Sequence, residues 1–116
     1  MQIIIRAHGF TLTDALNKHV EDRLRFAFSR VSGRVRRVHV TVSDINGPRG
    51  GVDKRCLIEV RLDRQPSVVI QDLQADLYTA IDRATGRAAR SVMRRLASRT
   101  GKRRHYQGKR PAIPAM

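Results

Sequence analysis

The chain opens on a short, β-branched apolar run, Gln2-Ile3-Ile4-Ile5-Arg6-Ala7-His8, which reads as a strand over residues 2–8. After Gly9 the period changes. Leu16, Val20, Leu24, Ala27 and Val31 recur at i, i+4, i+8, i+11 and i+15, which predicts a helix running to about residue 31. Thr11 or Thr13 can cap it, Asp14 places a negative charge in its first turn, and Ser32-Gly33 ends it. His19, Arg23, Phe26 and Arg30 form a line beside the apolar stripe. Residues 36–45 then alternate, with Val38, Val40 and Val42 on one side and His39, Thr41 and Ser43 on the other. Asn46-Gly47-Pro48-Arg49-Gly50-Gly51 cannot continue a strand, because proline lacks a donor and the glycines favour turns. Alternation resumes over 54–63, where Cys56, Ile58, Val60 and Leu62 share a face. After a turn at 63–66 a fourth strand covers 67–71, and the short connections predict an antiparallel meander. A second helix begins near Asp72–Asp76 and carries the stripe Leu77, Ile81, Ala84, Ala88, Val92 and Leu96. Thr100-Gly101 is its expected stop, and Gly86 interrupts it at a cost of about 1 kcal/mol relative to Ala.

The order is β-α-β-β-β-α. A right-handed crossover makes the first two strands parallel neighbours. Only one set of strand positions is richly apolar, so both helices share that face and the other stays wet. The expected fold is α+β, a four-stranded mixed sheet with two helices packed on one face. Residues 1–99 are expected to form one domain, and 100–116, basic and without an apolar period, a disordered tail.

Charge decides the class of partner. The net charge is +14, and 20 of the 24 basic residues are arginine. No acidic residue follows Asp82, while Lys or Arg stands at 83, 87, 90, 94, 95, 99, 102, 103, 104, 109 and 110. Arg83, Arg87, Arg90 and Arg94 are spaced +4, +3, +4 and fall within roughly 60° of one another, at about 140° from the centre of the core stripe. Such a rail suits a polyanion, nucleic acid first, because a guanidinium grips phosphate oxygens bidentately. These four are the primary RNA-binding candidates. Arg23 and Arg30, then Lys18 and Arg25, are secondary, since Glu21 and Asp22 dilute their surface. Arg36, Arg37, Arg49, Lys54 and Arg55 surround the second hairpin, as a further patch or as protection against edge pairing. Tyr78 is either half-buried or a base-stacking residue.

Other chemistries find no support. The one cysteine, Cys56, lies in an apolar alternation and reads as a small buried hydrophobe, which fits a reducing cytoplasm. His8, His19, His39 and His105 show no metal-ligand spacing. Gly50-Gly51 lacks the context of a phosphate-cradling loop. Asp76 and Asp82, six apart, lie on different faces, so no acid–base pair forms. No run approaches a membrane span, and the N-terminus is too short in its apolar part for a signal peptide. The expectation is a cytoplasmic, non-enzymatic protein, monomeric when free, with no cofactor, metal, small-molecule substrate or membrane partner.

The run Asp76-Leu77-Tyr78-Thr79-Ala80-Ile81-Asp82 resembles the D-[ML]-Y-x-A-I-D motif of the ribosome hibernation-promoting factors, a family also known as ribosome-associated inhibitors or sigma-54 modulation proteins. Thr13-Asp14-Ala15-Leu16 with Val20 and Arg23-Leu24 is similar to the start of that family's first helix, and Val38-His39-Val40-Thr41-Val42 to its second strand. The resemblance covers about residues 1–97. It implies a partner, the small ribosomal subunit with its 16S rRNA, and a mode of action: the protein occupies the mRNA/tRNA channel and silences translation without chemistry. The family's basic positions after the motif fall on Arg87, Arg90 and Arg94. Long members carry a C-terminal dimerisation domain that pairs ribosomes; this chain stops at 116, so pairing by itself is not expected. Two other readings stay open: a general double-stranded-RNA-binding module, which shares the α-β-β-β-α order, and a transcription-regulating interaction protein.

Overall fold

The computed structural model describes residues 1–45 and 52–108, with side chains placed as far as residue 97. The segment 46–51 and the end of the tail, 109–116, lie outside the described residues. Strand β1 (Gln2–His8) leads to helix α1 (Asp14–Ala27), a 3₁₀ turn (Ser32–Arg34), β2 (Val35–Asp44), β3 (Lys54–Leu62), β4 (Gln65–Gln74) and helix α2 (Leu77–Gly108). The sheet order is β1-β2-β3-β4, with β1 and β2 parallel and the other two pairs antiparallel. This is the expected α+β arrangement.

Register puts the apolar positions of all four strands on one face. Ile3, Ile5 and Ala7 stand beside Val38, Val40 and Val42, which pair with Val60, Ile58 and Cys56. Beyond these come Val68, Ile70 and Asp72 of β4. Leu16, Val20 and Leu24 of α1 are buried on that face, as are Ala80, Ile81, Ala84, Ala88, Val92 and Leu96 of α2. The alanines let α2 lie close to β3 and β4. Burial pushes the Cys56 thiol up to about 12, and the charge of nearby Asp72 adds to the effect. A thiol so placed is neutral and inert.

The caps follow local chemistry. Thr13 Oγ1 accepts from the Leu16 N–H at 3.1 Å and starts α1. Asp76 starts α2: one carboxylate oxygen accepts from the Thr79 N–H at 2.9 Å and from its hydroxyl at 2.8 Å. These bonds, the backbone one foremost, hold the Asp76 carboxyl below its ordinary 3.8. Gly9 has φ +88°, and a Cβ there would stand 3.0 Å from the Asp44 carbonyl oxygen, so the corner after β1 requires glycine. A Cβ on Gly86 would meet only the Arg90 guanidinium, at 3.5 Å, so no neighbouring backbone explains that glycine.

Four boundaries differ from expectation. Helix α1 ends at Ala27, not near 31: the Phe28 N–H still reaches the Leu24 carbonyl at 3.0 Å, and Phe28 then leaves the helical path. This turn leaves the Phe28 ring fully buried while Val31 keeps partial contact with the core. Burying a Phe side chain is worth roughly 1.5–3 kcal/mol, more than another turn of solvent-facing helix. Strand β4 spans 65–74, longer than 67–71. Pro66 is accommodated because β4 is an edge strand. Asp72 is therefore a strand residue and not part of the α2 start. Helix α2 does not stop at Thr100-Gly101 but continues to Gly108. One glycine costs about 1 kcal/mol and does not end a helix rich in Arg and Lys before a proline is reached.

Phe28→Ala should destabilise the fold by about 3–5 kcal/mol in a chemical denaturation titration, the range for losing a buried ring. For Asp76 the sign follows from its depressed carboxyl: the stabilisation is complete above its unfolded value and is lost as pH falls through the folded one. Asp76→Ala should lower the melting temperature at neutral pH, and the gap from the parent should close below about pH 3.8.

Candidate nucleic-acid interface

The two helices lie side by side on the sheet, so their outer surfaces form one face of the molecule. Helix α2 sets Arg83, Arg87, Arg90 and Arg94 along that face, all exposed. The four are not equivalent. Asp72 projects from β4 towards the helices and is buried at 7% exposure. It accepts from Gln74 Nε2 at 2.8 Å, and the guanidiniums of Arg83 and Arg87 approach it at 3.5 and 3.6 Å. Arg87 Nη1 also donates to the Gln71 carbonyl at 2.8 Å. The next basic residue on that flank is Arg95, whose Nη1 donates to the Pro66 and Ser67 carbonyls, both at 2.8 Å. Arg87 and Arg95 thus stitch α2 to the open edge of β4. Arg90 forms no ion pair or hydrogen bond among the described residues, and Arg94 has only a 3.4 Å contact with Ser91 Oγ. Arg90 and Arg94 are the rail's uncommitted cations. Arg87 and Arg83 retain free N–H groups, since each guanidinium carries five.

A polar joint ties the helices together. His19 Nε2 lies 2.9 Å from Asp82 Oδ1, and Arg23 Nε lies 3.2 Å from the same oxygen. The Tyr78 ring meets His19 edge-on at 4.7 Å and stays 42% exposed. Each residue of the 76–82 motif therefore has a structural duty: Asp76 and Thr79 form the cap, Leu77, Ala80 and Ile81 pack on the core, and Tyr78 and Asp82 engage α1. Tyr78 still presents part of its ring to solvent.

The remaining candidates scatter. Lys18 pairs with Asp22 at 3.1 Å on an exposed helical turn, a contact worth little. Arg25 and Arg30 are exposed and unpaired among the described residues. Arg37 does not join the helical face: its position on β2 points to the opposite side of the sheet, where its Nε donates to Gln2 Oε1 at 3.0 Å. Lys54 is also withdrawn, held 2.9 Å from the buried Asp53 and 3.4 Å from Asp44, and the Asp53 bond foremost raises its pKa. Arg49 falls outside the described residues.

Phe26 gained no role from sequence. It sits one turn beyond Arg23 on the line that flanks the α1 stripe, and 80% of it is exposed. Its ring lies uncovered between Arg23 and Arg30 in the chain. The signal was present in the sequence: a phenylalanine off the core stripe and on the basic line.

No described helix is long and apolar enough to cross a membrane, and no group of three or more metal-ligating side chains occurs among the described residues. Comparison with solved structures finds the same architecture repeatedly, and two of the matches are instructive. A ribosomal subunit interface protein from Coxiella burnetii superposes with a TM-score of 0.73, covering 84% of this chain and 99% of that one at 16% identity, a likeness of fold alone. The N-terminal domain of Protein Y from Thermus thermophilus gives a TM-score of 0.66 at 29% identity, over 81% of this chain and 98% of that one. No curated protein sequence matches. The family model for sigma 54 modulation protein / S30EA ribosomal protein matches residues 3–100, the whole of the sheet and its two helices except the last turns of α2, and the chain belongs to that family.

Proposed function

We propose that this protein is a ribosome-binding inhibitor of translation that lays its helical face against 16S rRNA in the mRNA/tRNA channel of the small subunit. The observation that carries the reading is the exposed, unneutralised pair Arg90 and Arg94, placed by α2 on the same face as Arg23, Arg30 and Phe26 of α1 and the segment after it. Membership of the family supports it, as does the likeness in fold to a ribosomal subunit interface protein. The mode of recognition is cationic side chains on phosphates, which supplies affinity and position without reading base sequence. That suits a protein that acts by filling an RNA-lined space. The face offers donors and two exposed aromatic rings, Phe26 and Tyr78, which suits inhibition by occupancy. The cap of α2 is the acidic Asp76, and the first arginine of the helix, Arg83, comes only after its first turn, unlike a helix that meets an RNA duplex with its first turn.

Co-sedimentation with isolated small subunits across a salt series tests the proposal. Arg90→Gln with Arg94→Gln should weaken association at least several-fold and flatten the slope of log K against log salt by about 1.5, since each lost phosphate contact removes roughly 0.7–0.9. Phe26→Ala should weaken association by about 1–3 kcal/mol if the ring stacks on a base, while leaving the melting temperature close to the parent's. Tighter binding of the parent to a free RNA duplex than to subunits would replace this reading with that of a general duplex binder. Salt-independent capture by a protein partner would replace it with a transcriptional one.

A further inference from the structure

The sheet face turned away from the helices is also cationic. Row by row it presents Gln2, Arg37 and Arg61; then Ile4, His39, Glu59 and Val69; then Arg6, Thr41, Leu57 and Gln71; then His8, Ser43, Arg55 and Leu73. Four arginines stand there against one carboxylate, Glu59, which is 4.0 Å from Arg61 Nε.

The arrangement is most concentrated at one end. Arg37 and Arg61 are direct partners across the antiparallel β2–β3 pair. Like charges in that relation destabilise a sheet, and a neutral residue at either position would remove the repulsion. With Arg36, Gln2, Gln65 and Ser67 they line a cleft of about 480 Å³ that contains no acidic lining residue. Arg36 has a weak exposed contact with Asp63 at 3.6 Å, outside the lining. Arg37 uses only its Nε, on Gln2, which leaves its terminal nitrogens for a ligand. Three guanidiniums, two amides and a hydroxyl around a cleft are the donor set for a phosphate. The cleft is continuous with the helical face: the carbonyl of its lining residue Ser67 is held by Arg95 of α2, so the basic surface turns around the start of β4 from one side of the sheet to the other.

We propose that this cleft is a second phosphate-binding site, taking the sugar–phosphate backbone of an RNA segment other than the one on the helices. The domain is then gripped between two RNA walls and not laid upon one. This rests on the ribosomal reading above and adds a partner for a face that reading leaves bare.

The test uses the full 116-residue chain and isolated small subunits, comparing the parent, Arg37→Gln/Arg61→Gln, Arg90→Gln/Arg94→Gln and the fourfold variant across a potassium chloride series. The Arg37/Arg61 variant should melt no lower than the parent, bind at least several-fold more weakly, and show a slope flatter by about 1.5; the fourfold variant should be flatter by about 3. Arg37→Lys/Arg61→Lys, which keeps the charge, should recover most of the slope and guards against a folding defect in the glutamine variant. Parent-like affinity and slope for Arg37→Gln/Arg61→Gln, beside a weakened Arg90/Arg94 variant, would make the cleft a solvated surface and overturn the proposal while sparing the helical interface. Weaker binding with an unchanged slope would also overturn it, since the contact would not be to phosphate. If the parent itself ignores small subunits at low salt, the ribosomal reading falls and this inference with it.

Discussion

The sheet has a single apolar face, and that asymmetry governs everything above it. Val38, Val40 and Val42 with Cys56, Ile58 and Val60 are almost wholly withdrawn from water, and their alternate neighbours, Leu57 apart, are polar. Two amphipathic helices have only this one surface on which to bury their stripes, so they lie side by side. Their outward residues become a single surface, with positions set by core packing and not by flexible loops. Turning α2 about its axis would expose Ile81 or Val92, both fully buried, so core packing fixes the direction in which the arginines point. The same constraint leaves the far side of the sheet uncovered.

Most of the architecture was legible because it rests on periodicity. Strand alternation and the two helical stripes name the core residues almost one for one. What escaped the sequence has identifiable causes. Phe28 lies one residue past the end of its helix, where the chain obeys burial of a large ring and not the helical period. Asp72 looks like a helix-start charge, because a carboxylate on the inner face of a strand is expensive unless paired. Its guanidinium partners stand 11 and 15 residues later, and only the fold brings them there. The rail was visible as a spacing, but its division into anchored and free arginines was not, since that depends on where the β4 edge lies. Arg37 carried no sign of which side of the sheet it would occupy until the strand register was fixed.

The 76–82 motif illustrates how a family signature can be structural. Read as sequence, its tyrosine and aspartates invite functional roles. In three dimensions it caps α2, seats two fully buried side chains and locks α2 to α1 through Asp82, His19 and Arg23. A short motif that starts a helix and fixes its distance from a neighbour determines where every later residue of that helix points. The arginines that follow inherit their aim from it. With a net charge of +14, such fixing has to be strong, because repulsion among the cations opposes compaction.

The bonds from Arg87 and Arg95 to the carbonyls of Gln71, Pro66 and Ser67 carry one more implication. A bare lateral strand is a template on which another chain can nucleate a growing ribbon. Here three of its carbonyls, those of Pro66, Ser67 and Gln71, are already taken, and the proline offers no donor. Part of this lateral border is thereby guarded by guanidinium groups, the same residue type that lines the outer surface of α2.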